Sequence, residues 1–191
     1  MDQITPLVLD AWAWWLFAIC WIVAGFFTHR TRFAESALLR MSHVLPLFAG
    51  FFLIFHNRHA GRSFIYGRLY ENPAVEWLGF ALTIGGMLLA GWARAELGRY
   101  WSGNVTLKEG HRLIRTGPYR IARHPLYTGF LTAALGSAIS AATGDAIVGF
   151  AIILAAIVFK LRREEALLTG EFGDEYRQYK TAVRALVPFI Y

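Results

Sequence analysis

Two short stretches of this sequence concentrate side chains that can bind charged groups. The first, HRLIRTGPYRIARHPLYTG at residues 111–129, contains four arginines, two histidines and two prolines beside an apolar segment. The second, LRREEALLTGEFGDEYRQYK at residues 161–180, contains the adjacent carboxylates Glu164 and Glu165. Arginine binds carboxylates and phosphates through paired hydrogen bonds, whereas a carboxylate binds ammonium groups and hydroxyls. If the two stretches meet in space, they can hold a ligand that carries both kinds of charge.

The first stretch predicts an anion-binding site at the start of a helix. Pro125 suits the first turn of a helix, which leaves His124 near the N-cap, where backbone N–H groups point outward. Charged and aromatic side chains lie close by in the sequence: Arg120, Arg123, Tyr119 and Tyr127. The alternative is that these arginines and tyrosines only anchor the chain at a membrane interface, where such side chains are common.

The carboxylate pair opens a second polar segment. Apolar and aromatic residues recur in it at roughly helical spacing: Leu161, Leu168, Phe172, Tyr176 and Tyr179. This spacing predicts an amphipathic segment that lies on or beneath a membrane domain. For an isolated helix, a surface pair of Lys160 with Glu164 at i to i+4 is the simpler interpretation. Because both charged clusters flank the same pair of apolar segments, we favour carboxylates that face the arginines.

Composition indicates a membrane protein. The 191 residues are 56% hydrophobic and 17% charged, which is outside the usual balance of water-soluble domains. Seven Trp, eight Tyr and fifteen Phe fit a chain that crosses a lipid interface. The net charge of +6 is placed between apolar segments and in the C-terminal part, which favours anionic membrane lipids over nucleic acid as partners. No obligate protein partner is indicated.

Five apolar segments have nearly the length that a helix needs to cross about 30 Å of hydrocarbon. They comprise residues 9–27, 37–56, 74–93, 126–142 and 146–161. The last two are separated only by a tight turn, which predicts an antiparallel helical hairpin. Small residues are expected to bring the two helices of this hairpin into close contact: Gly129, Ala133 and Gly136 on one, and Gly149, Ala155 and Ala156 on the other.

The predicted fold is therefore all-α and integral to the membrane, with about five transmembrane helices and a cytoplasmic pocket. It forms a single domain over residues 1–191, in which residues 1–93 supply the first spans. Residues 94–191 supply a loop, the hairpin and a C-terminal amphipathic helix.

The distribution of Lys and Arg predicts the orientation. Residues 94–123 contain seven of them and residues 160–184 contain six, whereas the turn at 143–145 has none. By the positive-inside rule, the N-terminus lies outside and the C-terminus and site lie in the cytoplasm, in an inner or plasma membrane. The loop at 57–73 conflicts with this, because it contains Arg58, Arg62 and Arg68. Either the loop uses those charges, which we favour, or the second segment is re-entrant.

With these residues in view, the sequence resembles the isoprenylcysteine carboxyl methyltransferase family and its phospholipid methyltransferase relatives. The resemblance rests on LGRYWSGNVTLKEGHRLIRTGPYRIARHPLYTG at 97–129 and EEALLTGEFGDEYRQYKTAVRALVPFI at 164–190, about the C-terminal half of the chain. It pairs a GPYR…RHPxYxG block with a later EE…FGxxYxxY block, which is more specific than one short motif. The resemblance implies an S-adenosyl-L-methionine-dependent methyltransferase that acts on a membrane-embedded lipid or lipidated substrate, with carboxyl O-methylation favoured.

Carried over position by position, the resemblance implies two sets of site residues. The cofactor-binding set consists of His111, Leu113, Gly117, Tyr119, His124, Tyr127, Glu164 and Glu165. The catalytic set consists of Arg120, Arg123 and Glu165, and the two arginines are candidates for holding a carboxylate of the cofactor or substrate. S-adenosylmethionine has a sulfonium cation, an amino-acid head and an adenosine, so its pocket needs aromatic rings, a carboxylate and a cationic site.

Methyl transfer is an in-line displacement, so the main task is to position the two reactants. A carboxylate acceptor needs no general base, whereas an amine acceptor must lose a proton, for which Glu165 and His124 are candidates. We expect a lipophilic acceptor to enter from the membrane and the cofactor from the cytosol. No metal is expected, because His56 and His59 share a helical spacing but lack a third ligand.

Two other functions fit parts of the pattern. The first is a sterol-reductase-like, NADPH-dependent membrane oxidoreductase, whose C-terminal tail has a similar sequence. The second is a small membrane protein without catalytic activity that binds lipid or a partner through its aromatic belts. A lipid amine N-methyltransferase is a further variant of the methyltransferase hypothesis.

Overall fold

Helices make up most of the described part of the chain. The computed structural model describes residues 5–56, 64–65, 67–103, 105–110 and 112–186. Its α-helices are α1 (Pro6–Gly25), α2 (Ala37–Phe55), α3 (Pro73–Leu97), α4 (Pro125–Ala141), α5 (Gly144–Phe172) and α6 (Asp174–Ala182). Short 3-10 helices span Gly98–Tyr100 and Gly117–Arg120, and the strands β1 (Thr31–Ala34) and β2 (Thr106–Lys108) pair antiparallel.

The predicted apolar segments correspond to α1 to α5, and their ends agree within four residues except at the end of α5. A proline occupies the first turn of α1, α3 and α4. Backbone N–H groups in the first turn have no partner within the helix, so the missing N–H of proline costs no hydrogen bond there. The side chain of Asn72 caps α3 by accepting from Ala74 N, and that of Thr143 caps α5 by accepting from Ala146 N. Local sequence therefore determines where these helices start.

The fifth helix is longer than predicted. It continues to Phe172, so Glu164 and Glu165 lie in its C-terminal turns rather than at the start of a separate amphipathic segment. That part of the prediction is wrong, because the helix ends only at Gly173, which adopts φ +55°. A positive φ favours glycine and interrupts the regular helical backbone. The separate polar helix is α6, which begins directly after Gly173.

Four of the described helices are long and apolar enough to cross a membrane: Pro6–Gly25, Ala37–Phe55, Pro73–Tyr100 and Gly144–Phe172. The outward faces of α1 and α2 are rich in exposed large side chains such as Trp12, Leu16 and Phe48. Such faces suit a lipid environment. The predicted class, a mostly helical membrane protein, is therefore confirmed. The number of five spans stays a prediction, because α4 has 17 residues.

Glycines bring the membrane helices together, although not in the predicted pairs. A Cβ at Gly129 of α4 would lie 2.5 Å from Ala90 N of α3, and a Cβ at Gly149 of α5 would lie 2.5 Å from Gly50 O of α2. The expectation that these glycines join α4 to α5 is therefore wrong. The small-residue face of α4 packs against α3, and that of α5 packs against α2. A face of small residues allows close approach to any helix with a matching face, so it does not specify the partner.

Replacing Gly136 of α4 with valine is expected to prevent folding. A Cβ there would lie 2.5 Å from both Gly79 O and Thr83 N, backbone atoms that cannot move aside. Overpacking of this kind costs about 3 kcal/mol or more when backbone has to shift. Size-exclusion chromatography and thermal unfolding in detergent measure the loss of folded protein. The matched control is Gly85→Val, whose Cβ meets nothing within 4 Å. A Gly136→Val variant that folds like this control would contradict the prediction.

Near the turn between α4 and α5, the described residues of the segment before α3, 64–65 and 67–72, lie against the end of the bundle. The Asp145 carboxylate accepts from Phe64 N at 2.8 Å and from Ile65 N at 2.9 Å, and lies 3.2 Å from His56 Nε2. Arg68 pairs with Glu76. The loop therefore uses Arg68 in its own structure. Three residues considered in the sequence analysis lie outside the described residues: Arg58, Arg62 and His59.

At the opposite end, Arg94 links α3 to α1. Its Nη2 donates to Ala24 O at 2.8 Å and its Nη1 donates to Gly98 O at 2.7 Å. The guanidinium carbon lies 4.4 Å from the ring centroid of Trp101, within the range of a cation–π interaction. These contacts hold the segment after α3 against the end of α1, where Trp101 contacts Trp21.

Candidate active site

The C-terminal segment after α6 lies alongside the start of α4. His124 is the N-cap residue of α4 and Pro125 occupies its first turn, as the sequence predicted. Arg123 N donates to Arg184 O at 2.8 Å, and His124 N donates to Ala185 O at 2.9 Å. These backbone bonds position the side chains of residues 123 and 124 relative to α6.

Arg123 joins the loop before α4 to α5 and α6. Its Nε and Nη2 donate to Glu165 Oε1 at 2.8 and 2.6 Å, and its Nη1 donates to Val183 O and, at 3.2 Å, to Lys180 O. Lys180 Nζ lies 3.0 Å from the second oxygen of Glu165, and His124 Nε2 lies 3.4 Å from the first. The Arg123 and Glu165 side chains are only 9% and 13% exposed. Arg123 and Glu165 thus face each other, whereas Glu164 accepts from Tyr127 Oη.

A second link between the loop and α6 involves Arg115. Its Nη2 donates to Glu175 Oε1 at 2.8 Å and to Glu175 O at 3.1 Å. Its guanidinium carbon also lies 5.4 Å from the ring centroid of Tyr179. Together with the Arg123 contacts, this link holds α6 against the loop.

A cavity of about 760 Å³ lies between these segments and the helices α1, α2 and α4. One end is polar and is lined by Arg112, Leu113, Tyr119, Arg123, His124, Tyr127, Lys160, Glu164, Tyr176 and Tyr179. The rest of its wall consists mainly of aromatic rings of the membrane helices: Trp14, Phe17, Trp21, Phe48, Phe51, Phe52, Phe55 and Phe130. A single hollow therefore connects a charged region to an apolar one.

Hydrogen bonds fix the tyrosines at the polar end. Tyr127 Oη donates to Glu164 Oε2, and Tyr179 Oη donates to Tyr119 O at 2.5 Å. Burial raises the pKa of Tyr179 to about 12 and raises that of Tyr119 well above its usual range, so both phenols remain neutral donors at physiological pH. The buried Tyr176 Oη has no hydrogen-bond partner within the described residues, which leaves it available to a ligand in the cavity.

The structure brings together most of the predicted cofactor-binding residues. Those that line the cavity are Leu113, Tyr119, His124, Tyr127 and Glu164. Glu165 lies behind them in the pair with Arg123. Gly117 has a structural reason to be glycine, because it adopts φ +55° and a Cβ would lie 2.8 Å from Glu96 Oε2. His111 lies outside the described residues.

The two predicted carboxylate-binding arginines differ in position. Arg120 is exposed and is not among the residues that line the cavity, because the turn Gly117–Arg120 buries Pro118 and Tyr119 instead. Arg120 therefore lies apart from the residues that line the cavity, and its role in holding a carboxylate stays a prediction. Arg123 does line the cavity, but its N–H groups already bind Glu165 and two backbone carbonyls.

Two features of the site were missed by the sequence analysis. Lys160 is only 7% exposed and lines the cavity, so the interpretation as a solvated surface pair with Glu164 is wrong. The sequence pattern that could have indicated its burial is its helical spacing from Ile157 and Leu168, which line the same cavity. The aromatic wall was also missed, although its rings recur every three or four residues along α1 and α2.

Comparison with known proteins gives one consistent result. The sequence profile of the isoprenylcysteine carboxyl methyltransferase (ICMT) family matches residues 77–170. A probable protein-S-isoprenylcysteine O-methyltransferase of Oryza sativa subsp. indica is 29% identical over 188 residues, which cover 92% of this chain and 96% of that protein. The protein-S-isoprenylcysteine O-methyltransferase of Schizosaccharomyces pombe is 30% identical over 131 residues, which cover 67% of this chain and 55% of that protein.

A solved structure shows the same fold. The eukaryotic intramembrane Ras methyltransferase ICMT superposes with a TM-score of 0.53 at 25% sequence identity. The match covers 83% of this chain and 55% of that one. The profile, the relatives and the solved structure therefore indicate the same family likeness as the sequence motifs. These likenesses support a membrane methyltransferase that is similar to the isoprenylcysteine carboxyl methyltransferases.

Proposed function

We propose that this enzyme transfers the methyl group of S-adenosylmethionine to a carboxylate on an acceptor that also has an apolar chain. The observation that supports this most is the continuous cavity, because its polar end suits the cofactor and its aromatic end suits the chain. The relatives named as protein-S-isoprenylcysteine O-methyltransferases act on an acceptor of this class.

The polar end of the cavity fits each part of the cofactor. The rings of Tyr119 and Tyr127 tolerate a sulfonium cation. Glu164 can bind an ammonium group or ribose hydroxyls, and Tyr176 Oη, which has no partner among the described residues, can hydrogen-bond an adenosine or its ribose. When bound, the cofactor supplies an electrophilic methyl group. Leu113 and His124 complete the wall around it in this proposal.

The protein's part in the reaction is to position the acceptor and exclude water. A carboxylate oxygen of the acceptor bonds to the methyl carbon and the acid becomes a neutral ester, so no general base is required. Arg123 and Glu165 act as positioning residues, because their contacts hold α6 against α5 and the loop. Through α6 they position Tyr176 and Tyr179 at the cavity.

The acceptor enters from the membrane between α1 and α2. Trp15, Phe48 and Phe52 line the cavity and are nevertheless 68%, 72% and 59% exposed, which makes them the rim of a lateral opening. The basic loops lie at the polar end of the cavity, so the positive-inside rule places that end in the cytoplasm. With α4 as a fifth span, the N-terminus lies outside and the cofactor enters from the cytosol.

Transfer of tritium from the labelled methyl group of S-adenosylmethionine tests this function. Membranes that contain the protein are expected to label a lipid-soluble or protein fraction in a base-labile form, as an ester requires, while membranes without it do not. The purified protein should also be stabilised by S-adenosylmethionine and not by NADPH, by about 2.7 kcal/mol at one hundred times Kd. Base-stable label in an amine-bearing lipid, or stabilisation by NADPH alone, would contradict the proposal.

A further inference from the structure

One carboxylate lies fully buried among the membrane helices and outside the site described above. Asp10, one turn from the start of α1, is 0% exposed and is not among the residues that line the cavity. Neither carboxylate oxygen has a hydrogen-bond partner among the described residues, and none of the ion pairs in that part of the chain includes Asp10. An isolated charge is strongly unfavourable at such a position, so a proton or a cation has to neutralise it.

Oxygen atoms are the polar neighbours of this carboxylate. The hydroxyls of Thr83 on α3 and Ser140 on α4 lie beside it. Both hydroxyls donate to backbone carbonyls: Ser140 Oγ to Glu76 O at 3.1 Å, and Thr83 Oγ1 to Gly79 O and Ala133 O, each at 3.2 Å. A hydroxyl that donates its hydrogen elsewhere presents lone pairs to its other neighbours, so these two residues leave Asp10 without a donor.

A third hydroxyl connects this cluster to the wall of the cavity. Ser137 Oγ lies 3.1 Å from Thr83 Oγ1 and accepts from Trp14 Nε1 at 2.9 Å. Trp14 is one turn from Asp10 on α1 and lines the cavity, and its ring centroid lies 4.7 Å from that of Phe51. Whatever binds at Asp10 therefore also affects how firmly this tryptophan is held.

We infer that Asp10, Thr83 and Ser140 bind a sodium ion between α1, α3 and α4. Carboxylate, hydroxyl and carbonyl oxygens are the ligands that hard cations take, and the cluster supplies these oxygens together. The three residues lie near the start of α1, within α3 and near the end of α4. Because α1 starts and α4 ends at this side of the bundle, the ion can reach the cluster from the adjacent aqueous phase.

Charge and size both favour sodium among the hard cations. One carboxylate balances one positive charge, whereas Mg²⁺ or Ca²⁺ would leave a net charge among the membrane helices. The helices α3 and α4 also pack closely beside the cluster, since a Cβ at Gly79 would lie 2.7 Å from Ser140 Oγ. So narrow a space suits sodium better than the larger potassium ion.

The test is thermal unfolding of the purified protein in detergent at pH 8, with NaCl, KCl or N-methylglucamine chloride at the same ionic strength. Sodium at one hundred times its Kd is expected to raise Tm by about 5 °C or more over N-methylglucamine, because it binds only the folded state. Potassium should raise Tm less. These measurements need no S-adenosylmethionine, so their outcome is independent of the proposed methyl transfer.

Two variants assign the effect to the cluster. Asp10→Asn keeps the shape of the side chain and removes its charge, so it should have the same Tm in all three salts. Asp174→Asn, the matched control, removes a carboxylate whose side chain is 84% exposed and should respond to sodium as the unmodified protein does. If Asp10→Asn does not fold in detergent, Ser140→Ala replaces it, and its Kd for sodium should be about ten-fold higher.

A second measurement follows the tryptophan beside the cluster. Sodium should change the fluorescence of the unmodified protein through Trp14, and this change should be lost in Trp14→Phe, which keeps the rise in Tm.

Three results would overturn the inference. Equal Tm values in sodium and N-methylglucamine for the unmodified protein would mean that a proton neutralises Asp10. A sodium response that persists in Asp10→Asn, or unchanged in Ser140→Ala, would place the ion elsewhere. Equal effects of sodium and potassium would indicate a general salt effect instead of a sodium site.

Discussion

Arg123→Met is expected to destabilise the protein by about 3–5 kcal/mol, because it leaves the buried Glu165 carboxylate without its main partner. It also removes the donor to the Lys180 and Val183 carbonyls, so α6 loses one of its links to the loop and keeps those through Arg115 and Tyr179. Since α6 carries Tyr176 and Tyr179 to the cavity, affinity for S-adenosylmethionine should fall by about ten-fold or more. Unfolding in mixed micelles and equilibrium binding measure the two effects.

The matched control for this prediction is Arg177→Met. Arg177 pairs with Asp174 on the exposed side of α6, where the two side chains are 63% and 84% exposed. An exposed pair contributes at most about 1 kcal/mol, so this variant should resemble the unmodified protein. Removing both buried partners, Arg123 and Glu165, should destabilise less than the sum of the single changes, because no unpaired carboxylate remains. An Arg123→Met variant with no loss of stability would contradict this prediction.

The sequence predicted the spans and the meeting of the two charged stretches because both depend on local patterns. Hydropathy locates α1 to α5, and Pro125 locates the start of α4 with His124 at its N-cap. The facing of Arg123 and Glu165 followed from the hairpin, whose short turn places both flanks at the same end of the bundle. These features need only the order of segments along the chain.

Features that depend on which helix faces which could not be predicted in this way. A small-residue face such as that of Gly129 allows close packing but does not specify the partner, and the structure pairs it with α3. The same reasoning applies to Lys160, since i to i+4 spacing from Glu164 is equally compatible with solvent and with a cavity. The pairing of residues 122 and 184 joins segments too distant in sequence for any local pattern to indicate.

Glu164→Gln is expected to lower affinity for S-adenosylmethionine by about 10- to 100-fold, through loss of a carboxylate at the polar end of the cavity. Glutamine has nearly the same shape and keeps a carbonyl oxygen, so Tyr127 Oη can still donate to it. A lower affinity of Glu164→Gln for S-adenosylmethionine would therefore result from the lost negative charge and not from altered packing. Isothermal titration in detergent measures the affinity, and Glu171→Gln is the control, because that carboxylate lies on the same helix in a pair with Arg32 away from the cavity.

S-adenosylhomocysteine separates the parts of the cofactor that Glu164 can contact. It lacks the transferable methyl group, so its sulfur is neutral, while its ribose and amino-acid head are unchanged. If the Glu164 carboxylate lies beside the sulfonium, Glu164→Gln weakens binding of S-adenosylmethionine more than that of S-adenosylhomocysteine, because only the first loses a charge–charge attraction. An equal loss for both would instead place the carboxylate at the ribose or the ammonium group, and no loss for either would exclude Glu164 from the cofactor site.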